Sequence, residues 1–186
     1  MSLRGLACSL VLSSAAPSAA AVDWTMDPAA SHLEFVASFQ QAAAPGEFKE
    51  FDTQFHFEPD QIGDSRLDVT IKVTSADMQN AEINDAIKTP VWFDFPGFPV
   101  SEFHATAIER ADATHFVAHG SLNLKGVAHA LDVPFTWRQS GDHATMTGQF
   151  TVARAIFDIG TGEWTATDII GADVKVSFTV ALKKRL

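Results

Sequence analysis

Alternation with a period of two constrains this chain more than any other feature. Leu67, Val69, Ile71 and Val73 alternate with Arg66, Asp68, Thr70 and Lys72, and Val174, Val176, Phe178, Val180 and Leu182 alternate with Asp173, Lys175, Ser177, Thr179 and Ala181. A strand sends successive side chains to opposite faces, so these runs read as strands with one apolar face. Weaker alternation runs through residues 32–40, 47–57, 100–109, 115–124, 130–139 and 144–156, which brings the predicted strands to eight. Turn signals separate them at Pro45-Gly46, Pro59-Asp60, Lys125-Gly126, Ser140-Gly141-Asp142 and Gly160-Thr161-Gly162. Short strands at such spacing predict an antiparallel sandwich or barrel, and no helix–strand alternation points to a parallel sheet. The rhythm breaks once, over 76–98. There Met78, Ile83, Ile87 and Val91 recur at helical spacing until Pro90 ends the helix, and an aromatic connection, Trp92-Phe93-Asp94-Phe95-Pro96-Gly97-Phe98, follows.

The first 21 residues read as a secretory signal peptide: Arg4 near the start, a run of apolar and small residues too short to span a bilayer, then Ala19-Ala20-Ala21 before Val22. Cleavage after Ala21 would leave residues 22–186 as one domain in the periplasm. The only cysteine, Cys8, lies in that leader, so the mature domain needs no disulfide. A formal charge of −10 disfavours partners with phosphate backbones and electrostatic attachment to anionic membranes, so neither nucleic-acid binding nor stable membrane insertion is expected.

Fifteen Phe and no Tyr make the aromatic surface almost free of hydroxyls, so it adds apolar area without requiring hydrogen-bond partners. An eight-stranded barrel is just wide enough to be filled by its side chains or to hold one small ligand. The helix and the aromatic connection would cap one end, with Trp92, Phe93, Phe95 and Phe98 either lining an entrance or plugging it. The seven histidines carry no metal-binding spacing. The best pair, His115 and His119, would stand roughly 13 Å apart on a strand, too far for two ligands of one ion. No G-x-S-x-G elbow and no mature thiol support nucleophilic catalysis, and Gly160-Thr161-Gly162 reads as a hairpin or corner rather than a phosphate loop.

Several motifs in order resemble the YceI family: Trp24-Thr25-Met26-Asp27-Pro28 with Ser31 and Phe35; Gly46-Glu47-Phe48 with Phe51; Asn80 and Asp85; Trp92-Phe93-Asp94 with Pro99 and Phe103; Gly120-Ser121-Leu122-Asn123-Leu124-Lys125-Gly126; and Arg154 with Phe157 and Ile159. The resemblance covers about residues 22–186. It implies an all-β, antiparallel, eight-stranded lipocalin-like barrel with one short capping helix, exported to the periplasm. There it would bind polyisoprenoid chains, quinone-type molecules or long-chain amides as ligand, with no catalytic residues, no metal and no other cofactor. It also implies a homodimer and, from family context, a b-type membrane cytochrome as partner. The sequence departs from the family pattern at Ala30 and Phe39, where histidines are usual, and at Asn84, where an arginine is usual, so no head-group contact carries over. Strand parity, helix face and nearness to the cap nominate Phe35, Phe39, Phe48, Ile83, Ile87, Trp92, Phe93, Phe103 and Trp137 as ligand-binding residues. The alternative readings are a filled barrel acting through protein partners, in a stress response for instance, and an enzyme acting on an isoprenoid-type substrate.

Overall fold

A computed structural model describes residues 22–185; the predicted signal peptide, with Cys8, lies outside the described residues. Among the described residues the strands are β1 (Val22–Met26), β2 (His32–Phe39), β3 (Ala42–Phe48), β4 (Phe51–Phe57), β5 (Arg66–Lys72), β6 (Ala76–Asp77), β7 (Val100–Arg110), β8 (His115–Leu124), β9 (Val127–Ser140), β10 (His143–Ala153) and β11 (Asp173–Lys184), with one α-helix, α1 (Ala81–Ile87). β1, β4, β5, β7, β8, β9, β10 and β11 pair antiparallel in that order, and β11 returns to β1 to close an eight-stranded barrel.

The ring changes partners along its height. β1 lies between β4 and the end of β11, with Trp24 opposite Phe55 on one side and Lys184 on the other. The chain then makes a short 3-10 turn, Pro28–Ala30, capped by the Asp27 carboxylate, which accepts from Ala29 N at 3.0 Å. Ser31 Oγ donates to Asp27 O at 2.7 Å and accepts from Ala181 N at 3.0 Å, pinning this corner to β11. β2 then takes over the pairing with β11, from Lys175 to Thr179, and folds back as β3.

Two predicted boundaries differ from those found. The run 47–57 is two strands, because Lys49 N and Glu50 O turn aside to bond Ser75 O and Lys72 N. The run 144–156 ends at Ala153, where Arg154 begins a 3-10 turn. β1 was not among the eight predicted strands; its alternation lasts only five residues.

Below the barrel's middle the interior is solid. Trp24, Phe55, Phe57, Phe116, Phe135 and Trp137 form one aromatic cluster, with Trp24 edge-on to Trp137 at 5.0 Å, Phe57 edge-on to Phe116 at 5.1 Å and Phe55 stacked on Phe57 at 4.7 Å. Such edge-to-face contacts add to the area these rings bury. The Trp24 indole donates to Phe57 O at 3.0 Å.

The outward positions are polar, the reverse of a membrane-spanning barrel, whose outer face is apolar. Cross-strand histidine–carboxylate pairs sit there: His56 with Asp23, His104 with Asp68, and His119 with Asp132, each at 2.7 Å. The bond from Asp68 raises the His104 pKa above its ordinary 6.5, and that from Asp132 does the same for His119. A histidine whose folded pKa is raised stabilises the fold fully below its unfolded pKa, and that contribution disappears as pH rises through the folded value. Both pairs are exposed, so the effect on stability is small. The clearer readout is an NMR titration of the His104 ring: its midpoint is expected to fall in Asp68→Asn, and a midpoint that stays put would refute the pairing.

Candidate functional site

Above the aromatic cluster the barrel is hollow. A cavity of about 200 Å³ is walled by the inward residues of the upper strands: Val69 and Ile71 on β5, Phe103 on β7, Leu122 and Leu124 on β8, Leu131 and Val133 on β9, Phe150 and Val152 on β10, and Val174, Val176 and Phe178 on β11. The wall presents almost no polar surface to the lumen. Its polar residues are Thr53, Ser101 and Arg154, all buried. Ser101 Oγ turns away to Asn123 O at 2.7 Å, and Thr53 Oγ1 is enclosed without a hydrogen bond.

The cap has two parts. The first is α1 with residues 88–99. Asn80 caps the helix by accepting from Ile83 N at 3.1 Å. Asn84 fastens it, accepting from Met78 N at 2.7 Å and donating to Asp77 Oδ1 at 2.8 Å. Asp77 also takes a hydrogen bond from Lys49, and these donors hold its carboxyl well below the usual range. Asn84, where the family usually has arginine, therefore serves the cap's anchorage. Ile87 turns into the lumen, followed by Trp92 and Phe93, while Phe95 packs beside Phe93 and Phe98 lies against Gly126.

The second part, 154–172, is organised by Arg154, only 3% exposed. Its guanidinium donates to five backbone carbonyls: Nε to Gly171 O, Nη1 to Ile159 O and Gly160 O, and Nη2 to Trp164 O and Ile170 O, at 2.7–3.0 Å. Five donors in a fixed planar fork are what arginine offers. The glycines of Gly160-Thr161-Gly162 form a corner in this segment at φ +73 and +64. Gly160 N bonds Val91 O, and Lys125 Nζ bridges Pro90 O and Asp158 O at 2.7 and 2.6 Å, so the two parts are stitched together. Burial lowers the Lys125 pKa.

Of the nine residues nominated from sequence, the cavity gathers Phe35, Phe48, Ile87, Trp92, Phe93 and Phe103. Three placements are corrected. Phe39 has inward parity, but β2 overruns the ring there, leaving one bridge to Ile170 and the side chain 45% exposed. Ile83 lies one turn before Ile87, where the short helix projects past the wall, and is 40% exposed. Trp137 points inward but one level too deep, inside the aromatic cluster beneath the cavity. The sequence reading passed over Phe150, Val152, Val174, Val176 and Phe178, although the alternation of 174–182 already marked the inward face of that strand. It also gave Arg154 no role, because a buried arginine bonded only to carbonyls has no local signature. His115 and His119 face outward onto carboxylates, His115 onto Asp112 at 2.8 Å.

A family profile described as YceI-like domain matches residues 24–182. A UPF0312 protein of Photorhabdus laumondii is 30% identical over 82 residues, a match that spans 44% of this chain and 42% of that protein's length. Among solved structures, BcnA of Burkholderia cenocepacia superposes with a TM-score of 0.81 at 31% identity, over 84% of this chain and 98% of that one. A polyisoprenoid binding domain from Saccharophagus degradans superposes with a TM-score of 0.72 at 15% identity, over 88% and 99% of the two chains, a likeness of fold.

Proposed function

Because this chain belongs to the family of YceI-like domains, we propose that its barrel carries a long apolar lipid of the isoprenoid or quinone type in the periplasm. The observation that carries this reading is the lumen: hollow, capped and walled by hydrocarbon and aromatic rings. Each ligand CH₂ moved there from water contributes roughly 0.8 kcal/mol, so a chain of several isoprene units binds tightly without a charged contact. The name of the Saccharophagus domain points to the same ligand class. A wall with so little polar surface cannot satisfy a carbonyl, hydroxyl or phosphate inside, so the tail enters and the head group stays in water. The same poverty favours binding over catalysis, since acid–base chemistry needs titratable groups facing the ligand.

The test is mass spectrometry of an organic extract of protein purified from a producing bacterium, beside an extract of an unrelated exported barrel. A stoichiometric isoprenoid or quinone is the expected result. Its absence, together with failure to take up added ubiquinone, would leave the hollow barrel without the proposed cargo.

A further inference from the structure

Three inward-facing strand positions on the upper barrel are glycine, and each lies under a phenylalanine ring of the cavity wall. A Cβ at Gly46 on β3 would stand 2.5 Å from Cζ of Phe35, its cross-strand partner on β2. One at Gly120 on β8 would stand 2.7 Å from Cζ of Phe103 on β7, and one at Gly148 on β10 2.8 Å from Cε1 of Phe178, its partner on β11. No side chain's Cβ fits at such distances; at Gly120 and Gly148 the backbone oxygens of His104 and Pro134 alone already exclude one, whereas at Gly46 only the ends of the Phe35 and Met78 side chains stand in the way. Glycine inside a strand costs stability, through backbone entropy and lost packing. Phe35 and Met78 are lumen residues, so what Gly46 provides is width in the cavity.

Building on the lipid-binding reading above, we propose that Gly46 is a specificity-determining residue. It seats the Phe35 ring against the wall and gives the lumen room for a methyl-branched chain. A side chain at this position drives the ring toward the axis and takes that room from the methyl branches before it hinders an unbranched chain.

Gly46 is the site for the test. The atoms its Cβ would meet are the ends of flexible side chains, Phe35 and Met78 at 2.6 Å, whereas Gly120 and Gly148 also face backbone oxygens. Delipidated protein is titrated with farnesol, a methyl-branched alcohol, and with dodecanol, unbranched and of the same backbone length, and the bound alcohol is counted by mass spectrometry after each addition. In Gly46→Ala, farnesol is expected to bind about tenfold more weakly, as overpacking of a filled cavity implies, and dodecanol less than about threefold more weakly. Adding Phe35→Leu removes the displaced ring and restores farnesol binding. Equal loss for both alcohols, no loss for either, or no rescue overturns the gauge while leaving the lipid-binding reading in place. Wild-type protein that binds neither alcohol overturns both. Should Gly46→Ala not fold, Phe35→Leu alone decides: the affinity ratio moves toward farnesol, and an unchanged ratio overturns the gauge.

Discussion

Ile87→Asp is expected to empty the barrel. Ile87 ends α1 with its side chain turned into the lumen and only 6% exposed. A carboxylate there would meet a wall with no donor facing it. An unpaired buried charge costs several kcal/mol, so at neutral pH the group either repels the ligand or drags the helix off the mouth. Lipid affinity is expected to fall at least about a hundredfold, about 2.7 kcal/mol. Ile87→Val, which removes one methylene, should lower the stability of the fold by about 0.5–1.5 kcal/mol. The pH dependence has a definite sign. Burial raises a carboxyl pKa, and the neutral acid prevails below it, so binding by Ile87→Asp should recover as pH falls. The measurement is lipid retained by folded, monodisperse variant protein; a full complement at neutral pH would show that the hollow is not the binding site.

Arg154→Met should destabilise the fold by several kcal/mol, at about 1–3 kcal/mol for each buried carbonyl left without a donor. The lost guanidinium leaves the carbonyls of Ile159, Gly160, Trp164, Ile170 and Gly171 without their donor in a place water does not easily reach. Arg154→Lys should recover little of this, because an ammonium has three donors and no planar fork to span five oxygens. Urea unfolding gives the magnitude, and amide exchange over 154–172 tells whether the cap loosens alone or the barrel goes with it. A change below about 1 kcal/mol, within the range of one ordinary hydrogen bond, would mean that the segment does not depend on this residue.

The barrel was legible because alternation reports which face of a strand is buried, and β5 and β11 display it over whole strands. The helix was legible from Ile83, Ile87 and the proline after them, and the hairpin turn at Lys125-Gly126 from its glycine. The tight turn at Gln40-Gln41, where both φ angles are positive, gave no such signal, since glutamine is not a residue that position favours. At the site the limit was depth. Parity put Phe39, Phe103 and Trp137 all on the inside, but it is blind to height along the axis: one lies at the rim, one on the cavity wall and one in the solid floor. Height depends on which strands lie side by side, and that pairing is set by contacts remote in sequence. The role of Arg154 was hidden for the same reason, since its five acceptors take their positions only once the segment 159–171 has folded round it.

The join between β1 and β11 also governs timing. The hydrogen bond from Ala181 N to Ser31 Oγ closes a loop of 150 positions, and the register of Trp24 with Lys184 lies beside it. A ring fastened by its most distant strands forms late, since contacts across long stretches of chain are slow to make. The lumen is enclosed only once β11 has paired, since that strand supplies Val174, Val176 and Phe178 to the wall and closes the ring onto β1.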